Sequence, residues 1–184
     1  ADPMCGSGTL VIEAALIAMR RAPGLHRSFG VERWPQMMSQ AAEILTELKA
    51  EAKAQERIPP FPLFARDREE EAIDATKRNV KAARLGHAVT IELGDAMFSP
   101  APECPPGLLV SNPPYGEWLT AGGQKGMKSF YFKLGDCLGS WGWRMAMLCG
   151  NPAFESAFHH RPGEARELWN GPIECRLMIY PPGT

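Results

Sequence analysis

The sequence predicts one α/β domain built around a mainly parallel β-sheet. Segments with strand character alternate with helical patterns along most of the 184 residues. Two of the predicted strands run into an acidic residue, a typical arrangement at the carboxyl edge of a ligand-binding sheet. A hydrophobic fraction of 45% and a charged fraction of 22% are those of an ordinary globular domain of this length.

The predicted elements follow from apolar spacing and from Gly or Pro stop signals. Helices are expected at 10–20, 36–56, 69–85 and 128–138, with Ser7 or Thr9 capping the first. Strands are expected at 62–66, 89–93, 108–111, 144–149 and 173–180. The proline-rich stretch 100–106 is expected to be a surface loop rather than a domain linker.

The overall charge and the cysteines exclude several classes of protein. A formal net charge of -1 is not that of a dedicated nucleic-acid binder, so most phosphate contacts must come from local basic patches or from a part of the protein outside this chain. The five cysteines are widely spaced and form no CxxC pair, which predicts free thiols in a reducing cytoplasm and no zinc site. No apolar run is long enough to span a membrane, and we expect neither a membrane nor a metal as partner.

The segment Asp2-Pro3-Met4-Cys5-Gly6-Ser7-Gly8-Thr9 has the composition of a ligand-binding turn. A dinucleotide fingerprint would need glycine where Val11 stands, and a P-loop would need Gly-Lys-Ser/Thr. A loop for S-adenosylmethionine (SAM) needs only the tight turn and a nearby acid, which Asp2 supplies. The alternative is a plain strand-to-helix turn. Almost no strand precedes the loop, so we expect the chain to begin within its own domain.

Asp67 and Asp95 each follow a predicted strand. Asp67 could accept the two ribose hydroxyls of a nucleoside ligand, or it could cap the helix that begins with an acidic first turn. Asp95 could accept a hydrogen bond from an adenine amino group, or it could be a turn residue after Gly94.

Asn112-Pro113-Pro114-Tyr115 is the most specific motif in the sequence. Its two prolines force an extended backbone, which fixes the directions of the Asn112 side-chain oxygen and the Pro113 carbonyl. Two such acceptors can grip the hydrogens of a planar amino group and stabilise the positive charge that develops on its nitrogen during alkylation. Tyr115 offers a face on which a flipped-out base can stack. The alternative is a proline-rich turn over a packed aromatic ring.

Together, these motifs resemble those of the RNA methyltransferases that carry an accessory THUMP domain, and within them bacterial 23S rRNA guanine-N2 methyltransferases. Other matching segments are Ala22-Pro23-Gly24-Leu25, Glu32-Arg33-Trp34-Pro35, Trp141-Gly142-Trp143 and Asn170-Gly171-Pro172-Ile173-Glu174-Cys175. The resemblance covers nearly the whole chain. Its Asn-Pro-Pro-Tyr part is shared with enzymes that methylate adenine N6, cytosine N4 and protein glutamine.

The resemblance implies a Rossmann-like class I SAM-dependent methyltransferase fold whose final strand is antiparallel, lacking at its N-terminus the first strand and the RNA-binding domain. It implies catalysis by Asn112, Pro113 and Tyr115. It also implies a set of SAM contacts: Asp2, Pro3, Cys5, Gly6, Gly8, Thr9, Asp67, Asp95 and Asn112. The implied partner is RNA, 23S rRNA or tRNA. Methylation of tRNA guanine N2 or of adenine N6 stays an alternative, as does a non-catalytic RNA- or partner-binding module with a vestigial cofactor pocket.

Two departures from the family pattern and three further groups complete the sequence-based expectations. Trp118 stands where the family motif has arginine, and Glu69 stands in place of a second aspartate. Two basic groups are candidates for phosphate contacts or are plain solvated surface: Arg20, Arg21, His26, Arg27 and Arg33, and Lys125, Lys128 and Lys133. His159 and His160 are expected to be surface residues.

Overall fold

The computed structural model describes residues 1–115 and 123–183 and, within them, alternating strands and helices. The strands are β1 (Phe64–Asp67), β2 (Thr90–Leu93), β3 (Leu108–Ser111), β4 (Arg144–Cys149), β5 (Glu164–Asn170) and β6 (Ile173–Tyr180). The helices are α1 (Thr9–Ala18), α2 (Met38–Ala54), α3 (Glu70–Ala82), α4 (Gly123–Gly139) and α5 (Ala153–Ala157), with a 3-10 helix at Gly30–Arg33.

The strands form two hydrogen-bonded groups that the first two residues of the chain join. β1 pairs with β2 in parallel, and the second group has the order β3-β4-β6-β5. Asp2 donates its N–H to the Phe64 carbonyl at 2.9 Å, and the Ala1 carbonyl accepts the Val110 N–H at 2.9 Å. The resulting order is β2-β1-(residues 1–2)-β3-β4-β6-β5.

The direction of the strands confirms the mainly parallel sheet and its antiparallel final strand. β3 and β4 are parallel, whereas β6 is antiparallel both to β4 and to β5. The carboxyl ends of β1 and β3 therefore meet at one edge of the sheet, on either side of the loop that follows Asp2.

Two apolar clusters hold the elements in place. The first packs α4 and α5 against β3, β4 and β6, and its fully buried side chains include Tyr131, Phe154, Phe158, Met147 and Tyr180. The second packs α1 and α3 against β1 through residues such as Val11, Ala15, Ile73, Val80 and Ala65. Each cluster lies behind one half of the carboxyl edge.

The structure confirms the predicted helices and strands, with bounds that differ by a few residues, and adds β5 and α5. The predicted cap of α1 is wrong, because Gly8 holds the cap position in a left-handed conformation and makes no side-chain cap bond. The stretch 100–106 lies outside any helix or strand, as expected for a loop. No helix among the described residues is long and apolar enough to cross a membrane.

Candidate functional site

The glycine loop after Asp2 is held against α3 by side chains of that helix. Gly6 and Gly8 have φ values of +55° and +83°, which glycine adopts without strain. Thr76 donates its hydroxyl to the Gly6 carbonyl at 2.9 Å, and a Cβ at Gly8 would lie 2.9 Å from the Thr76 methyl carbon. A Cβ at Gly6 would meet no atom within 4 Å, so this glycine faces open space at the edge of the sheet.

Asp67 at the end of β1 is tied to the glycine loop. Its Oδ2 accepts the Gly6 N–H at 2.8 Å, and its Oδ1 accepts the Glu69 N–H at 3.1 Å. The cap residue of α3 is Glu69, so Asp67 does not hold the cap position itself. Each carboxylate oxygen can accept more than one hydrogen bond, so Asp67 keeps acceptor capacity for a ligand.

Asp2 connects the loop to the neighbouring strand. It is only 3% exposed, and its Oδ1 accepts the Ser111 hydroxyl at 2.8 Å and the Met4 N–H at 3.3 Å. Burial raises the pKa of Asp2 to about 6, against the opposing effect of those hydrogen bonds. A cationic ligand group beside Asp2 would favour its ionised form.

Asp95 lies beside Asp67 at the end of β2. The Gly94 N–H donates to the Asp67 carbonyl at 2.9 Å, which places the two acidic residues on adjacent strands. Asp95 Oδ1 accepts the Met97 N–H at 2.9 Å, and its carbonyl accepts the Ser99 hydroxyl at 2.7 Å. The turn interpretation of Asp95 therefore describes its local contacts, and its half-buried carboxylate still lies at the edge that Gly6 faces.

The remaining predicted loop residues are less available to a ligand through their side chains. Pro3 is fully buried, and Cys5 is buried with its Sγ 3.5 Å from Thr76 Oγ1. Burial raises the pKa of the Cys5 thiol to about 11, so the side chain is a neutral core group. Thr9 is exposed at the first position of α1.

The Asn112 side chain carries an unsatisfied buried acceptor. Asn112 directly follows β3, and its Oδ1 is buried without a hydrogen-bond partner among the described residues. Such an atom costs about 1–3 kcal/mol in a folded protein, and native structures rarely retain one without a reason. The oxygen is thus placed to accept a hydrogen bond from a bound molecule.

The backbone that follows Asn112 is clamped by α4. Tyr131 of α4 is fully buried and donates its hydroxyl to the Pro114 carbonyl at 2.9 Å, while Pro113 is itself buried. The Cys149 thiol lies 3.7 Å from the same hydroxyl. Sequence reasoning missed Tyr131, because an aromatic residue on an amphipathic helix gives no sign of this contact.

Tyr115 packs against the turn between β5 and β6. Its hydroxyl oxygen accepts a hydrogen bond from Asn170 Nδ2 at 2.7 Å, and the Cys175 Sγ lies at 3.7 Å. The ring is half-buried beside Gly150. Burial raises the pKa of the Tyr115 phenol, and the bond from Asn170 opposes that effect. The motif residues Gly116, Glu117 and Trp118 lie outside the described part of the chain.

Some of the predicted phosphate contacts are engaged locally, among them His26, whose Nδ1 lies 3.4 Å from Arg84 Nη1. Arg21 pairs with Glu56 at 3.1 Å, and the Arg27 guanidinium lies 4.9 Å from the centre of the Phe29 ring. The predicted phosphate contacts other than Arg21 and Arg27 are exposed to different degrees but lie at the surface: Arg20, His26, Arg33, Lys125, Lys128 and Lys133. His159 is exposed and lies 3.1 Å from Asp136.

His160 corrects the surface prediction, because it is half-buried and its Nε2 lies 2.9 Å from the Gly135 carbonyl. Among the described residues, no three His, Cys, Asp or Glu side chains are grouped to hold a metal ion. All five cysteines are free thiols.

The architecture and the site define the class of this domain as a class I SAM-dependent methyltransferase. Residues 1–179 match the family described as "UPF0020: RMKL-like, methyltransferase domain". The chain belongs to this family, whose cofactor is SAM.

Curated relatives of the chain are ribosomal RNA methyltransferases. The chain is 36% identical over 183 residues to the ribosomal RNA large subunit methyltransferase K/L of Shewanella baltica strain OS195, covering 97% of this chain and 25% of that protein. It is 39% identical over 186 residues to the protein of the same name from Syntrophotalea carbinolica, covering 97% of this chain and 26% of that protein. The chain therefore spans about a quarter of the length of these relatives.

Solved structures with a similar fold are methylases. SMU.472, a candidate methyltransferase crystallised with SAH, superposes with a TM-score of 0.89 at 28% identity, over 98% of this chain and 47% of that one. A possible methylase from Clostridium difficile 630 gives a TM-score of 0.88 at 31% identity, over 98% and 47%. A Listeria monocytogenes protein named as a predicted N6-adenine-specific DNA methylase gives 0.83 at 29% identity, over 97% and 45%.

Proposed function

We propose that this domain transfers a methyl group from SAM to an exocyclic amino group of RNA, and that the acceptor is guanine N2 in 23S rRNA. The observation that carries the proposal is the buried Oδ1 of Asn112 at the carboxyl end of β3, which has no hydrogen-bond partner in the described ranges 1–115 and 123–183. The curated relatives named as large-subunit rRNA methyltransferases support rRNA as the substrate.

The residues along the carboxyl edge fit a nucleoside cofactor that carries an amino acid chain. Gly6 leaves open space beside the loop, and Asp67 and Asp95 offer carboxylate oxygens for ribose hydroxyls and the adenine amino group. The buried Asp2 would gain from a cationic ammonium nearby, because a positive charge lowers its raised pKa. Bound there, SAM supplies an electrophilic methyl group.

The Asn-Pro-Pro-Tyr segment supplies the groups that act on the acceptor. The lone pair of a base amino group is delocalised into the ring, so the group is a poor nucleophile in its planar form. Asn112 Oδ1 and the Pro113 carbonyl accept its two hydrogens and favour the pyramidal form. The same oxygens stabilise positive charge on the nitrogen during transfer, and they are already in place because the prolines and Tyr131 fix the backbone.

Adenine N6 is the second candidate acceptor. The Asn-Pro-Pro-Tyr motif accommodates any planar amino group, and the Listeria neighbour is named for adenine in DNA. A non-catalytic module is disfavoured, because a buried acceptor with no partner in the described part of the chain lowers stability without any return in a protein that performs no chemistry.

The proposal is tested by methyl transfer from labelled SAM with the natural full-length protein. The acceptors are unmodified 23S rRNA, tRNA, DNA and a protein extract, followed by digestion and identification of the labelled product. N2-methylguanosine in 23S rRNA is the expected result. Label in adenine, in tRNA or in glutamine would refute the guanine-rRNA assignment, and no label in any acceptor would favour the non-catalytic module.

The role of Asn112 is tested in the same assay. Asn112→Ala is expected to slow transfer by on the order of 10²–10³-fold, the effect of removing one preorganised polar group from an active site. Its affinity for SAM, measured by calorimetry, should fall much less than the transfer rate, although Asn112 is among the implied SAM contacts, because the lost oxygen acts on the acceptor amino group. A near-normal rate would refute the mechanism.

A further inference from the structure

The turn between β5 and β6 reaches the proposed acceptor side of the site. Asn170 is the last residue of β5, and its Nδ2 donates to the Tyr115 hydroxyl oxygen at 2.7 Å across 55 residues of sequence. This contact between side chains links the hairpin directly to the Asn-Pro-Pro-Tyr segment. The turn itself is Gly171-Pro172, with Gly171 at φ +60°.

The Tyr115 ring packs closely against Gly150 and the start of β6. A Cβ at Gly150 would lie 3.0 Å from Tyr115 Cε2, 2.9 Å from Ile173 Cγ2 and 3.1 Å from Cys175 Sγ. Tyr115 and two side chains of β6 thus converge on the bare backbone of Gly150. The ring is fixed at its edge by this packing and at its hydroxyl by Asn170.

One face of the hairpin is directed at Tyr115. Asn170 pairs with Ile173, and Leu168 pairs with Cys175, so these four side chains share a face. Ile173 and Leu168 are 45% and 41% exposed, which leaves an apolar margin beside the tyrosine. The paired Trp169 and Glu174 lie on the opposite face of the hairpin.

We propose that Asn170 is a positioning residue, which acts through Tyr115 to hold the phenol ring where the acceptor base stacks. The inference rests on the proposed function, since it requires Tyr115 to contact the base. A stacking platform contributes to catalysis only if its orientation is fixed before the base arrives. A bond from an amide to the phenol oxygen supplies that orientation without using the ring face.

The test is a double-mutant cycle in the natural full-length protein, with single-turnover methyl transfer to the acceptor RNA as the readout. Asn170→Ala and Tyr115→Phe each remove one partner of the hydrogen bond and should each slow transfer about five- to tenfold, with SAM affinity unchanged. The double variant should be no slower than Tyr115→Phe, because that variant already lacks the hydrogen bond that Asn170→Ala removes. Asn170→Asp should restore most of the rate, since the phenol can donate to the carboxylate.

Glu174→Ala is the matched control, because Glu174 is an exposed residue of the same hairpin end on the opposite face. It should leave the rate unchanged. Thermal unfolding of each variant shows whether the protein still folds. If Asn170→Ala does not fold, Asn170→Asp and Tyr115→Phe provide the test.

The possible failures are distinguishable. Full activity in Asn170→Ala, or losses that add in the double variant, would overturn the positioning role. If Asn112→Ala is slow in the same assay while Asn170→Ala is not, the proposed function stands and only this inference fails. If Asn112→Ala is also fully active, the proposed function itself fails.

Discussion

Replacing Gly8 by alanine should destabilise the domain far more than the same change at Gly6. At Gly8, alanine must hold a φ of +83° and place its Cβ 2.9 Å from the Thr76 Cγ2 and 3.0 Å from its Oγ1. The left-handed conformation costs a non-glycine residue about 1–2 kcal/mol. Overpacking against a fully buried side chain adds about 1–3 kcal/mol. The free energy of unfolding should therefore fall by about 2–5 kcal/mol in Gly8→Ala.

Gly6→Ala is the matched control, because its φ is also left-handed, +55°, but its Cβ meets no atom within 4 Å. Its stability loss should be limited to about 1 kcal/mol, partly offset by the lower entropy of the unfolded chain. The new methyl group points into the space proposed for SAM, so its main effect should be weaker SAM binding. Gly8→Ala should thus be detected mainly as a loss of stability, and Gly6→Ala mainly as a loss of SAM affinity.

Urea unfolding followed by circular dichroism measures the stability change, and calorimetry measures the SAM affinity. Equal stability losses in the two variants would refute the packing argument, because a Cβ added at Gly8 meets the Thr76 side chain and one added at Gly6 meets no atom within 4 Å. Normal SAM affinity in a folded Gly6→Ala protein would refute the placement of the cofactor beside this loop.

Two further predictions concern the acidic residues. Asp67→Ala removes the acceptor of the Gly6 N–H and the carboxylate proposed to bind the ribose hydroxyls. The SAM affinity measured by calorimetry should therefore fall at least tenfold, about 1.4 kcal/mol. Unchanged affinity would leave Asp67 a purely structural role. The folded-state pKa of Asp2 is raised to about 6, so the native protein keeps a proton on this carboxyl that the unfolded chain loses between about pH 4 and 6. Without SAM, the contribution of Asp2 to the free energy of unfolding should therefore decline by up to about 3 kcal/mol as the pH rises through that window. A pH profile of Asp2→Asn that still shows this decline would contradict the prediction.

The sequence predicted the helices and strands whose pattern of apolar residues matches their burial in the fold. β3, β4 and β6 were located to the residue, because each is an apolar run bounded by glycine, proline or a polar turn. β5 was missed because Glu164–Asn170 is exposed along its whole length and shows no apolar alternation. Gly171 just before a predicted strand was the signal that could have revealed the hairpin, because it is the first residue of the turn and takes a φ of +60°.

The candidate site was predictable where function depends on residue type within a motif, and unpredictable where it depends on contacts across the fold. Gly6, Asp67 and Asn112 could be proposed because their chemistry and their positions after predicted strands are visible in one dimension. The contacts from Tyr131 to Pro114 and from Asn170 to Tyr115 join segments 17 and 55 residues apart, and no local pattern encodes them. The capping alternative for Asp67 was settled only by the observed position of Glu69.

Ala1 and Asp2, which lie between β1 and β3 in the sheet, separate two groups of secondary-structure elements. On one side, the glycine loop and its acidic neighbours are supported by α1, α3, β1 and β2, which share one apolar cluster. On the other, α4, α5 and the β3-β4-β6-β5 group support Asn112, Tyr115 and the hairpin over a separate cluster. The two halves touch where Ala96, beside Asp95, joins the cluster of α4 and α5 and Met4 of the glycine loop packs against it. Under the proposed function, a change of acceptor through the hairpin would leave the packing of the proposed cofactor half unaltered except at these contacts.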